Sequence, residues 1–181
     1  MGMALTVPQY TVADLDLLPD DGNRYEVLAG ALLVTPAPDS AHQGVAARLS
    51  ALFATHLLAK RLGLFSPGVV KLPPLTQLEP DVLVVPPQFV PGTPWEEITE
   101  HLLAVEILSR SSRVYDREFK RDAYLALGVH EVWLVDVRDR SVEACVRKGG
   151  GRVVRDVIEW RAPGGAPSVH IELDALFADI A

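Results

Sequence analysis

Apolar residues fall into two kinds of pattern along this chain. From Ser40 to Leu62 they recur at helical spacing, with Val45, Leu49, Leu52, Phe53, His56 and Leu57 on one stripe and Gly63 as the stop. Elsewhere they form short runs bounded by Pro, Gly and Asp, which predict strands. Arg24 to Leu28 and Ala31 to Thr35 flank Ala29-Gly30 and predict a β-hairpin that Pro36 and Pro38 close. Val69 to Leu72 predicts a short strand. Asp81 to Val85 and Leu102 to Leu108 are nearly continuous apolar runs, the mark of central strands covered on both faces. Tyr10 to Leu18 predicts a short helical piece, and Asp116 to Leu127 a helix with Gly128 past its end. His130 to Asp136 and Ser141 to Arg147 predict a second hairpin turning at Asp139-Arg140. Gly149 to Gly151 predict a turn, Val153 to Trp160 and Val169 to Leu173 the last strands, and Asp174 to Phe177 a closing helical turn. The order of hairpin, long helix, strands, helix and strands implies an α/β fold with a mixed sheet and few helices.

At 181 residues the chain has the length of one domain. Its one cysteine, Cys145, excludes an intrachain disulfide and a cysteine-based zinc cluster, and fits a reducing, cytoplasmic setting. No apolar run approaches the roughly 20 residues of a membrane span, and Met1 to Asp16 shows no basic start before an apolar block, so no signal peptide is expected. The formal net charge of −7 argues against a protein that coats nucleic acid non-specifically, though it leaves room for a local basic patch. Arg110, Arg113, Arg117, Lys120 and Arg121 are such a cluster, offset by Asp116, Glu118 and Asp122.

Two acids break the apolar pattern. Asp81 follows Pro80 at the start of one central run, and Glu106 interrupts the other. A carboxylate in such a run is costly to bury unless it is paired or binds a cation. For Asp81 alone a solvated strand-start residue is the ordinary explanation, and for Glu106 alone an ion pair with Arg110 or Arg113. Asp116, Lys120 and Tyr124 share one helical face, which by itself implies no more than a surface Asp–Lys pair. Two carboxylates on neighbouring strands with a lysine on the next helix, however, make up the parts of a divalent-metal site for phosphodiester cleavage. His56, His101, His130 and His170 lack zinc-ligand spacing, Ser109, Ser111 and Ser112 lack the glycines of a hydrolase elbow, and Trp95, Trp133 and Trp160 could stack bases but are expected to pack in the core or at its rim.

Six segments in register carry a resemblance: Tyr25 to Leu32, Pro38 to Gln43, Pro80 to Val82, Val105 to Ser109, Tyr115-Asp116 with Lys120 and Tyr124, and Gly128 to Asp136. Together the chain resembles the Uma-two family of restriction-endonuclease-like proteins, within the PD-(D/E)xK nuclease superfamily. The resemblance implies a restriction-endonuclease-like mixed β-sheet core flanked by helices, with N-terminal and C-terminal β-hairpins, in one domain over 1–181 whose core spans about 24–136. It implies Mg2+ (or Mn2+) bound by Asp81 and Glu106 and hydrolysis of DNA phosphodiesters. The superfamily lysine, expected two residues after the acid, is replaced by Leu108 and implied at Lys120 instead. Glu26 matches an early acidic position and His42 a family histidine. DNA is the implied partner, with a two-fold homodimer left open. Two alternatives remain: a catalytically silent relative that binds nucleic acid or a protein, and a metal-dependent hydrolase of a smaller phosphate ester.

Overall fold

A computed structural model describes residues 9–57, 61–109, 116–164 and 168–180. Arg110, Ser111, Ser112, Arg113 and Tyr115 lie outside the described residues. The chain opens with a 3-10 turn, Val12–Leu17, and the hairpin β1 (Arg24–Leu28) and β2 (Ala31–Thr35). Helix α1 (Ser40–Leu57) follows, then β3 (Gly63–Phe65), β4 (Val70–Leu72), β5 (Thr76–Leu78), β6 (Val82–Val85) and β7 (Leu103–Leu108). A π-helical turn, Asp116–Lys120, runs directly into α2 (Arg121–Ala126). The remainder is β8 (Glu131–Asp136), β9 (Ser141–Val146), β10 (Gly150–Val154), β11 (Val157–Arg161), β12 (Ser168–Glu172) and the short α3 (Leu173–Leu176).

The strands form a six-stranded sheet in the order β10-β9-β8-β7-β6-β3, a four-stranded sheet in the order β2-β1-β5-β4, and the ribbon β11-β12. Among the described residues only β7 and β8 pair in parallel, across the connection that carries α2. Alternation along β6 and β7 separates two cores. Val82, Val84, Val105 and Ile107 face α1 (Val45, Leu49, Phe53, Leu57) and the ribbon (Ile158, Trp160, Val169, Ile171). Leu83, Val85, Ala104 and Leu108 face Tyr124 on α2, with Val70 and Leu78 of the smaller sheet. Each such side chain fully buried contributes roughly 1.5 to 3 kcal/mol, which makes β6 and β7 rigid ground for a site. Every residue of both strands is buried, as their unbroken apolar runs predict.

Some elements differ from the sequence pattern. The run from Val153 to Trp160 is broken at the exposed Arg155-Asp156, so β11 leaves the large sheet and pairs with β12 alone. Gly150 and Gly151 belong to β10, where they pair with Val146 and Cys145. The three-residue strands β3 and β5 are too short to show a period. Gly128, at φ +95°, ends α2 in the left-handed conformation that glycine adopts without strain. No helix among the described residues is long and apolar enough to cross a membrane.

Candidate functional site

Asp81 and Glu106 come together through strand register. Leu83 pairs with Ala104 and Val82 with Val105 in antiparallel β6 and β7. One further step sets Asp81 opposite Glu106, on the face that Leu83, Ala104 and Leu108 share. The approach to Asp81 is fixed by close backbone packing. Gly68 N donates to Pro80 O at 3.0 Å, Ser66 Oγ donates to Asp81 O at 2.8 Å, and a Cβ on Gly68 would meet the Leu83 side chain at 2.3 Å.

Both oxygens of Asp81 are engaged. Oδ2 accepts from the Ile107 amide at 2.8 Å and from His42 Nε2 at 3.0 Å, while Oδ1 accepts from both terminal nitrogens of Arg24 at 3.2 and 3.3 Å. His42 reaches this carboxylate from the first turn of α1, where its own amide donates to Asp39 Oδ1 at 2.8 Å. Burial raises the Asp81 pKa, but the His42 hydrogen bond, the charges of His42 and Arg24, and the Ile107 amide outweigh it, and the carboxyl is held below its ordinary range. An ionised Asp81 only accepts, so His42 Nε2 carries the proton of this bond.

Beneath this pair Lys120 Nζ stands among three carboxylates: Glu26 Oε2 at 2.6 Å, Glu106 Oε1 at 3.4 Å and Asp116 Oδ1 at 3.4 Å. Lys120 is only 2% exposed. The π turn places both Asp116 and Lys120 inward, and a π turn inside a helix commonly marks a functional position. Glu26, on β1, is clamped by the Glu79 amide at 2.7 Å, and Tyr124 donates its hydroxyl to Glu106 Oε1 at 2.6 Å. Burial acts to lower the Lys120 pKa, yet Glu106, Glu26 and Asp116 together raise it, so the amine stays charged. Burial drives Glu106 the other way. Its pKa lies well above the ordinary value, Lys120 only partly offsets the burial, and Asp116, Asp81 and Glu26 push it higher.

Four carboxylates thus share a site with two fixed positive charges, Lys120 and Arg24, and burial first, then the neighbouring acids, raise the Glu106 pKa. Arg24, His42, Asp81, Glu106, Asp116 and Lys120 line one cavity of about 20 Å3, room for roughly one water-sized particle. Among the described residues no three His, Cys, Asp or Glu side chains are placed to hold a metal ion by themselves. The oxygen donors and surplus negative charge suit a small hard cation such as magnesium, held by one or two carboxylates, better than one needing a full protein cage.

Comparison with known proteins places this geometry. The Uma2 family model, described as "Putative restriction endonuclease", matches residues 12–174. The chain belongs to that family. Among solved structures it is similar to a chain from Anabaena variabilis ATCC 29413 titled as a putative nuclease belonging to DUF820, at 18% identity and a TM-score of 0.73, covering 94% of this chain and 99% of that one. That likeness shows a shared mixed α/β fold. No curated protein matches.

All five residues singled out in this Uma2 sequence, Glu26, His42, Asp81, Glu106 and Lys120, meet in one cluster. The basic stretch around Lys120 does not form a free patch among the described residues. Arg117 pairs with Asp136 at 3.2 Å and Glu143 at 3.0 Å, and Arg121 with Asp122 at 2.8 Å. Two members of the cluster escape a reading by sequence. Arg24 lies in what looks like an ordinary hairpin strand, and Asp116 reads as half of a surface ion pair although it is buried.

Proposed function

We propose that this Uma2 chain is a Mg2+-dependent (or Mn2+-dependent) endonuclease that hydrolyses DNA phosphodiester bonds. The observation that carries the reading is the β6–β7 register, which sets Asp81 across from Glu106 with the buried amine of Lys120 against the second of them. Asp81 and Glu106 would hold the cation, which when bound supplies Lewis acidity toward the phosphoryl oxygens and makes hydroxide accessible near neutral pH.

The chain's own groups prepare the rest. Hydrogen bonds from His42 and the Ile107 amide hold Asp81 Oδ2 and orient the carboxylate. The Tyr124 hydroxyl fixes the rotamer of Glu106. Lys120 carries a permanent positive charge beside Glu106, where it offsets charge that builds on an attacked phosphate. Glu26 holds Lys120 in place at 2.6 Å, nearer than Glu106 or Asp116. Leu108 packs in the core with Tyr124, so the strand position that carries lysine elsewhere in the superfamily serves packing here, and the amine arrives from the following helix. A second reading, a catalytically silent relative that keeps the fold, is favoured by one observation: every oxygen of Asp81 already has a protein partner.

Titration calorimetry with Mn2+, alongside cleavage of supercoiled plasmid in Mg2+ or Mn2+, tests the proposal. The wild type binds the cation and converts the plasmid, while Asp81→Asn and Glu106→Gln lose at least tenfold in affinity and all cleavage. A protein that binds Mn2+ but cuts neither plasmid nor single strands supports the silent relative. Turnover of a small phosphate ester that DNA does not inhibit supports the smaller-substrate hydrolase. A chain that binds no cation overturns the proposal.

A further inference from the structure

Two fixed positive charges line the cavity among the described residues, and they differ in access. Lys120 is 2% exposed and enclosed by Glu26, Glu106 and Asp116. It reaches an incoming phosphate only if that enclosure opens. The Arg24 side chain is 22% exposed. It lines the cavity with Asp81 and Glu106, and it also lines the adjoining open groove with Asn23, Tyr25, Gln77 and Glu79. Arg24 is therefore the cation at the junction between site and solvent.

Its contacts show what it does there. Asp81 Oδ2 is committed to the fold through Ile107 and His42. Among the described residues Oδ1 accepts from Arg24, at 3.2 and 3.3 Å, and the same guanidinium donates to Glu79 O at 3.1 Å. A divalent cation approaching Asp81 must compete for Oδ1, and the group it displaces is the partly exposed one. A guanidinium released from one carboxylate oxygen has the planar, permanently charged fork that suits a phosphodiester, a geometry lysine lacks.

Resting on the nuclease reading above, we infer that Arg24 is the residue that receives the substrate phosphate. It occupies Asp81 Oδ1 in the cation-free protein and turns its guanidinium to the phosphodiester when a divalent cation takes that oxygen. The exchange is of hydrogen bonds only, with no covalent step.

The test uses the full chain as wild type, Arg24→Ala and Arg24→Gln. Mn2+ affinity is measured by calorimetry without DNA, and binding of a short DNA duplex is measured in Ca2+ across a salt series. Arg24→Ala is expected to bind Mn2+ as tightly as the wild type or more tightly, because a competing cation has gone. Its DNA affinity falls about tenfold, the worth of one charged hydrogen bond, and the slope of log K against log salt shrinks by about 0.9. Arg24→Gln keeps a donor for Asp81 Oδ1 and shows the same loss of slope, so a folding defect in the alanine variant does not decide the matter. Weaker Mn2+ binding in both variants with an unchanged salt slope would make Arg24 a support for Asp81 and overturn the inference alone. If the wild type binds no Mn2+ and neither variant does, the metal-dependent reading falls, and this inference with it.

Discussion

Lys120 Nζ lies 2.6 Å from Glu26 Oε2, nearer than to Glu106 or Asp116, although Glu26 stands on β1, far back in the chain. The lysine therefore does two things at once: it faces the carboxylate cluster and it brings one positive charge within reach of three buried acids. Removing it leaves charge uncompensated in the core. Lys120→Met is expected to cost about 3 to 5 kcal/mol, a fall in Tm of roughly 10 °C for a chain this size. Millimolar Mn2+ should restore more of the Tm in Lys120→Met than it adds to the wild type, because the cation replaces the missing charge. Differential scanning calorimetry with and without Mn2+ decides this. An unchanged Tm would show that the three acids take up protons at no cost.

Tyr124 offers a milder perturbation of the same cluster. Its hydroxyl donates to Glu106 Oε1 at 2.6 Å in a fully buried setting. Burial first, and then Glu106, push the phenol pKa well above 10, so it remains a donor at neutral pH. Tyr124→Phe deletes one hydrogen bond without a cavity and is expected to cost about 1 to 3 kcal/mol. Urea unfolding measures it, and a difference below a few tenths of a kcal/mol would mean that Glu106 finds another donor.

Arg117 tests whether the basic stretch near the site binds DNA. Its guanidinium spans Asp136, which is fully buried, and Glu143. Arg117→Ala is expected to destabilise the fold by roughly 1 to 3 kcal/mol while leaving the salt slope of DNA binding unchanged. A slope that drops by about 0.9 instead would show that the ion pairs open to admit a phosphate.

How much of this was legible beforehand depends on the scale of each signal. The long helix, the central strands and both hairpins follow from periodicity, because each runs far enough to display it. Strands β3 and β5 hold three residues each and show none. The departure of β11 from the large sheet is a tertiary choice, made where Arg155-Asp156 lets the chain turn toward α1. At the site, Asp81 and Glu106 stand out because acids in apolar runs demand an explanation. Asp116 and Arg24 do not, because their burial depends on elements far away in sequence: Arg24 meets Asp81 across 57 positions. The basic cluster misleads for a related reason, since charge counted along the chain says nothing of the acids, such as Asp136 and Glu143, that fold back onto it.

His101 supplies a pH prediction away from the site. The ring is buried just before β7, and neither nitrogen has a hydrogen-bond partner among the described residues. Burial lowers its pKa from 6.5 to about 4. A folded-state pKa below the unfolded one means that the unfolded chain takes up the proton first as pH falls. The native state then loses stability progressively from about pH 6.5 down to about pH 4, and not above that window. The full shift corresponds to about 3 kcal/mol. His101→Leu removes this sensitivity and the unpaired polar atoms together. It is expected to be neutral or slightly stabilising at pH 7 and clearly more stable than the wild type at pH 4.5. Denaturant unfolding at a series of pH values measures both. Parallel acid limbs in the two proteins would show that His101 finds a partner, a bound water for instance, and titrates like an ordinary histidine.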